Sequence, residues 1–250
     1  PFVPAFKNLR EPIYITCMLT GTLNHVMIET LDLSTANSAL TLKTSGRIDN
    51  LTNGKNLTAE LPNINLFAEV RQLLDASMMR LKLPGTAVRV IDATDFLAVN
   101  GSLSYKPDRV VYAGTINTAL GQLESDLGLK RNDKGSVTHI NGNLKSHNLK
   151  IGGLAKMPDV LNELAFDINA NVTLAGGLPY GNVDGTINYI DLKGYRYNNI
   201  NADLEIDGRN YDGKICLHDP NVDLDIEGKF RPDGENTVVD VVANLANLSL

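Results

Sequence analysis

Alternation of apolar and polar residues dominates this chain and limits what it can fold into. In residues 166–174 apolar side chains occupy every second position, and polar side chains stand between them. Because successive side chains of a β-strand point to opposite faces of a sheet, this pattern predicts strands with one apolar and one hydrated face. Residues 200–207 and 222–227 repeat it. The positions that we assign to the apolar face are Phe166, Ile168, Val172, Leu174, Leu204, Ile206, Val222, Leu224 and Ile226.

Turn-forming dipeptides agree with this assignment. Asn-Gly or Asp-Gly occurs at residues 53–54, 100–101, 141–142, 184–185, 207–208, 212–213 and 233–234. Both residues of these pairs tolerate positive φ, which is the requirement of two-residue hairpin turns. β-Bulges at the start of a strand are the alternative that remains open for some of them. The pattern predicts antiparallel hairpins that follow one another, and not a parallel sheet with long helices between its strands.

Two segments have helical spacing instead. Residues 65–81 place Leu66, Val70 and Leu73 on one helical face, and residues 157–165 have Pro158 near a first turn. We therefore predict an all-β fold: an elongated, curved antiparallel sheet with an apolar concave face and one or two short helices. Residues 1–250 are predicted to form one elongated β-repeat region, with helical insertions at about 65–81 and 157–165. The region is expected to be a fragment of a longer protein, because both ends look cut.

The segment 216–230 raises the question of a metal site. Asp219, Asn221, Asp223, Asp225 and Glu227 stand at every second position. A calcium loop of the EF-hand type needs a turn-forming glycine in its middle, which this segment lacks. We interpret these side chains as the hydrated face of a strand, and predict no metal ligand.

The remaining motifs do not predict an active site. Residues 208–215 imitate a phosphate-binding loop, but Ile215 replaces the hydroxyl that would hold magnesium, so a hairpin is favoured. The four histidines lack an evident third metal ligand, although His139 and His147 could approach each other across a hairpin. Cys17 and Cys216 are best explained as two buried free thiols, and a disulfide stays open. We predict no catalytic residues, no enzyme activity and no cofactor.

Charge and hydropathy argue against two classes of interaction, with nucleic acid and with the interior of a bilayer. The chain has a net charge of -6 and a pI of about 5.2, which argues against binding to nucleic-acid phosphates. No stretch of 18 consecutive apolar residues would span a bilayer as a helix.

Residues 194–230 resemble the TamB/AsmA-like family of Gram-negative envelope proteins. The matching pieces are residues 195–200, 211–213, 219–221 and 224–228, and residues 99–105, 112–118 and 140–153 resemble degenerate versions of the same unit. These pieces define hairpins rather than catalytic signatures.

The resemblance implies a U-shaped antiparallel sheet, the β-taco, whose apolar interior carries phospholipid between membranes in the periplasm. It also implies a role in outer-membrane protein assembly with an outer-membrane barrel partner of the full-length protein. We expect the membrane anchor and the partner-binding domain of that family to lie outside this chain. On this basis the apolar positions named above are candidates for a groove that holds phospholipid or another hydrophobic client.

Two further hypotheses stay open. A structural or adhesive β-repeat module would close its apolar faces into a sandwich core and bind no ligand. A carbohydrate-active enzyme would need exposed aromatic side chains and a carboxylate pair. The sequence does not separate groove from sandwich, because both need an apolar inner face.

Overall fold

The computed structural model describes residues 12–70, 94–152, 159–233 and 236–249. Within them, fourteen antiparallel strands form one unclosed sheet in which each strand lies beside its neighbours in sequence. The strands are β1 (Ile13–Thr22), β2 (His25–Thr35), β3 (Leu40–Asp49), β4 (Thr58–Glu69), β5 (Phe96–Lys106), β6 (Arg109–Thr118), β7 (Gly121–Arg131), β8 (Val137–Lys150), β9 (Leu161–Ala175), β10 (Leu178–Leu192), β11 (Tyr195–Asp207), β12 (Asn210–His218), β13 (Val222–Asp233) and β14 (Asn236–Leu248). The all-β class and the succession of hairpins are confirmed.

Contacts within the chain define two compact units, Pro1–Glu124 and Ser125–Leu250. The boundary between them falls inside β7. Each unit is described separately below.

The predicted helices are wrong at residues 65–69 and 161–165, whereas Val70, the last described residue before 71, is helical. Residues 65–69 belong to β4 and residues 161–165 to β9. Their side chains also satisfy a strand: Leu66 pairs with Leu42 on one side and Val99 on the other. Pairing between strands therefore overrides the local helical spacing. Residues 71–81 and 157–158 lie outside the described residues, so the helices predicted there stay predictions.

No helix among the described residues is long and apolar enough to cross a membrane.

Several predicted turns are also wrong. The dipeptides at 100–101, 141–142, 184–185 and 212–213 lie inside strands, whereas the tight turn between β9 and β10 is Gly176–Gly177, with φ of 60° and 80°. At Gly142, φ is 131° and an added Cβ would collide with the backbone carbonyl of Asp126. Glycine is needed there for close approach of a neighbouring backbone and not for a chain reversal.

Register shifts interrupt the sheet of the first unit on consecutive strands. They fall between Met18 and Leu19, Ile28 and Leu31, Ser45 and Arg47, and Leu61 and Ile64. The shift in β2 and the shift in β4 both adjoin the β3 residues 44–47, so neighbouring strands are irregular at the same level. Because a bulge bends the strand that carries it, the sheet of this unit bends along this line.

Gly142→Ala tests the close approach. The added methyl group would meet a backbone carbonyl at a φ that side chains rarely adopt, so we expect a loss of about 1–3 kcal/mol in the free energy of unfolding, measured in urea. Gly54→Ala is the control, because that glycine has open space around it and no positive φ. Equal stability of the two variants would contradict the packing argument.

Candidate functional site

The strand register of the second unit brings apolar residues of β8–β14 into continuous cross-strand rows. Directly paired residues of an antiparallel sheet lie on the same face. One row contains Ser146, Phe166, Ile187, Ile200, Leu217, Leu224 and Leu245, and the next contains Leu144, Ile168, Gly185, Ala202, Ile215, Ile226 and Ala243. The third contains Gly142, Ala170, Val183, Leu204, Gly213, Gly228 and Val241, and the fourth Ile140, Val172, Gly181, Ile206, Tyr211, Phe230 and Val239. We call these four sets the apolar rows; their polar members are Ser146 and Tyr211.

The predicted groove residues fall in or beside these rows. Leu174 pairs with Pro179 beyond the fourth row, and Val222 pairs with Leu248 beyond the first. Phe166 and Val172 are buried, with 6% and 8% of their surface exposed, and the other seven predicted residues are half-buried. The register thus aligns the nine candidates, and seven of them remain partly accessible to solvent.

Sequence reasoning missed several members of the rows. Tyr211, Ile215 and Phe230 each expose about 40% of their surface, and the rings of Tyr211 and Phe230 lie 6.0 Å apart. In β12 the apolar alternation is interrupted by Gly213, which hides it from a search for hydrocarbon side chains. Counting glycine as compatible with the apolar face would have found this strand.

The opposite side of the same strands is polar. One row there contains Asn143, Asn169, Asp184, Asp203, Lys214, Glu227 and Val242, and another contains Asn141, Asn171, Asn182, Glu205, Asp212, Lys229 and Asp240. The Asn143 amide donates hydrogen bonds to Asp167 Oδ1 at 2.7 Å and Asn169 Oδ1 at 3.0 Å, and the Asn169 amide donates to Asp184 Oδ2 at 3.1 Å. We call this side the polar face. These hydrogen bonds satisfy the side-chain amides of Asn143 and Asn169, for which an apolar surface would offer no partner.

The first unit contains a comparable apolar row across β1–β6. Its members are Ile15, Leu33, Leu42, Leu66, Val99 and Ile116. An open depression of about 650 Å³ in this unit has a mixed lining that includes Glu29, Lys43, Ile64 and Asn100. It lies over the register shifts of β2–β4, and its lining does not favour one class of ligand.

Asp219 does not belong to the hydrated strand face, because it lies in the turn before β13 and is 4% exposed. Tyr195 donates its hydroxyl hydrogen to Asp219 Oδ1, and the backbone N–H of Asn221 donates to the same oxygen at 3.0 Å. The backbone and amide of Asn198 both donate to Oδ2 at 3.0 Å. Burial alone would raise the pKa of this carboxyl, but the hydrogen bonds outweigh it and lower the pKa to about 2. The Asp-Pro-Asn sequence therefore fastens the β12–β13 turn to the start of β11.

Asp223 and Asp225 lie on the polar face of β13, where they meet β12. Asp225 pairs with Cys216, and Asp223 pairs with His218. His218 Nδ1 and Asp223 Oδ1 are 2.7 Å apart. A hydrogen bond between the thiol and the Asp225 carboxylate raises the pKa of Cys216 and lowers the pKa of Asp225. Ligand atoms of Cys216, His218 and Asp225 all lie within 4.8 Å of one another.

The prediction of two buried thiols is wrong. Cys216 is half-buried and Cys17 is exposed, and both are free. His139 and His147, for which the sequence left an approach across a hairpin open, both lie in β8 and are therefore not brought together by a hairpin. Cys216 and His218 are two positions apart in β12 and therefore lie on the same face of the strand. This spacing was the overlooked signal for the cluster with Asp225.

No protein-family model, no curated protein and no solved structure matches the chain.

Asp219 gives a testable pH dependence. Its folded-state pKa of about 2 lies below the value of about 3.9 for an unfolded chain. The ionised carboxylate therefore stabilises the fold above the unfolded value, and this stabilisation is lost as the pH falls toward 2. Asp219→Asn should be less stable than the wild type at pH 7 and should lose less further stability on acidification, measured by urea unfolding from about pH 7 to about pH 2.

Asp133→Asn is the control for this experiment. Asp133 is exposed in the connection between β7 and β8, so this variant should keep the pH dependence of the wild type. An Asp219→Asn curve that parallels the wild-type curve at all pH values would contradict the role of the carboxylate.

Proposed function

We propose that this protein is a periplasmic, AsmA-like or TamB-like fragment whose apolar rows line a groove for phospholipid or another hydrophobic client. Its task in this proposal is phospholipid transport between membranes, assistance to outer-membrane protein assembly, or both. The single observation that carries the proposal is the register, which aligns the apolar residues of β8–β14 on one side of the sheet.

Partial exposure of the apolar rows supports a groove rather than a filled core. Among the described residues, the buried apolar ones are Ile28, Ala39, Ala68, Val70, Ala165, Phe166 and Val172. Globular domains of this length bury most of their large aliphatic side chains. Here Ile215, Phe230 and Tyr211 stand in the rows with about 40% exposure each. Such a surface favours an apolar client.

The energetics of the rows suit a mobile lipid. A fully sheltered acyl chain of about 16 carbons gains roughly 10 kcal/mol at about 0.8 kcal/mol per methylene. Contact with one wall yields a part of this, and ordering of the chain lowers it further. Because successive strands present similar apolar side chains, a lipid keeps most of this contact as it moves from one strand to the next. No single residue then needs to be specific, which agrees with the lack of a binding motif.

The cellular setting rests on the resemblance of residues 194–230 to the TamB/AsmA-like family. In this proposal the full-length protein is anchored in the inner membrane and engages an outer-membrane barrel. A nucleic acid is disfavoured as the client, since the chain's net charge of -6 repels phosphate backbones.

A structural module with a closed sandwich core is the second candidate function. Phe166, Val172 and Ala165 are buried in β9, so this part of the sheet is already covered. If closure extended over β10–β14 as well, the protein would hold no lipid and its surface would be the functional part.

Ile206→Glu tests the groove. Ile206 lies in the fourth row, so a carboxylate there would have to be desolvated whenever lipid covers it. We expect the affinity for a fluorescently labelled phospholipid to fall about tenfold or more, measured by titration of the purified chain.

Glu205→Gln is the matched control, because Glu205 is the neighbouring residue on the polar face. It should bind the labelled lipid like the wild type. Circular dichroism and urea unfolding of both variants distinguish a lost groove from a lost fold. Equal binding by a folded Ile206→Glu variant would contradict the groove.

A further inference from the structure

A thiol, an imidazole and a carboxylate meet on the polar face of β12 and β13. Cys216 and His218 are two positions apart in β12, and Asp225 lies directly opposite Cys216 in β13. One ligand atom from each of the three lies within 4.8 Å of the other two. None of them belongs to the apolar rows, so the cluster is separate from the proposed groove.

One oxygen atom of the cluster has no hydrogen-bond partner. Among the described residues, Asp225 Oδ1 is a buried oxygen that accepts no hydrogen bond. A buried carboxylate oxygen without a partner costs free energy that a hydrogen bond or a cation would recover. The thiol of Cys216 contacts the Asp225 side chain, so the unsatisfied oxygen belongs to the same group that faces the thiol.

We propose that Cys216, His218 and Asp225 form a binding site for Zn²⁺ that joins β12 to β13. Sulfur, imidazole nitrogen and carboxylate oxygen are the ligand atoms that Zn²⁺ takes in proteins, and three such ligands with water completing a tetrahedron is a common arrangement. Calcium and magnesium prefer all-oxygen ligand sets, so the thiol and the imidazole favour zinc over either ion.

The geometry requires a small adjustment. Zinc bonds of about 2.0–2.3 Å place tetrahedral ligand atoms about 3.5 Å apart. The ligand atoms lie within 4.8 Å of one another, so each pair must approach by about 1.3 Å at most. Side-chain rotation on a half-exposed strand face can supply this, because Cys216 and Asp225 are half-buried and His218 is exposed.

The surroundings favour a cation at this place. His218 Nδ1 lies 2.7 Å from Asp223 Oδ1, which leaves Nε2 of the ring for the metal. A zinc-binding histidine usually has a carboxylate at the ring nitrogen that does not bind the metal. The adjacent row of the polar face contains Lys214, which lies between its pairing partners Asp203 and Glu227 and also contacts the Cys216 thiol. On this part of the polar face four carboxylates accompany the one lysine, so the local electrostatic field attracts a divalent cation. They belong to Asp203, Asp223, Asp225 and Glu227.

Zinc titration of the chain without a polyhistidine tag tests the site. The wild type and Cys17→Ser should bind one Zn²⁺ per chain in a competition assay with a chromogenic chelator. Cys216→Ser, His218→Gln and Asp225→Asn should each bind at least about 100-fold more weakly. Cys17 and His139 supply matched controls, since Cys17 is exposed in the first unit and His139 hydrogen-bonds to Thr173 at a distance of 3.0 Å.

Co²⁺ gives a readout that a change in stability alone would not produce. Replacement of Zn²⁺ by Co²⁺ should give an intense thiolate-to-metal charge-transfer absorption in the wild type, in Cys17→Ser and in His139→Gln, and none in Cys216→Ser. The proposal is overturned if the wild type binds no zinc, or if Cys17→Ser loses the absorption while Cys216→Ser keeps it. A lipid-free protein that binds zinc would contradict the groove and leave this site in place.

Discussion

Cross-strand pairing of apolar with apolar residues is the constraint on which the rest of this structure depends. A shift of one residue between two strands would move every apolar side chain of one of them to the polar face. In the second unit the pairs Ile187–Phe166, Ile200–Leu217 and Leu217–Leu224 exclude such a shift. The polar face adds its own restraint, since Asn143, Asn169 and Asp184 hydrogen-bond in series across the three strands β8, β9 and β10 only in this register.

The period of two was enough to predict the all-β class and the succession of antiparallel strands. Phe166, Ile168, Leu204 and Ile206 were assigned to one face by alternation alone, and the register aligns them there. The prediction failed where an element depends on a partner strand. Leu66 belongs to a segment whose apolar residues have helical spacing, but its pairing with β3 and β5 holds it in a strand.

Two further errors have a common physical cause. Asn141–Gly142 has the sequence of a turn but lies inside β8, because a neighbouring backbone passes too close for a side chain. Asp219 matches the alternation of β13 but lies in a turn, because hydrogen bonds from Tyr195 and Asn198 hold it there. Both depend on residues distant in sequence, as does the cluster of Cys216 with Asp225, and a local pattern carries no information about such contacts.

Whether the apolar rows meet lipid or other protein is the central question for function, and one measurement addresses it most directly. The fragment is purified without detergent, extracted with organic solvent, and the extract is analysed by mass spectrometry. Our account predicts phospholipid at about one molecule or more per chain, since half-exposed rows favour an apolar client. A well-folded protein whose extract contains no lipid would contradict it and favour the closed sandwich core.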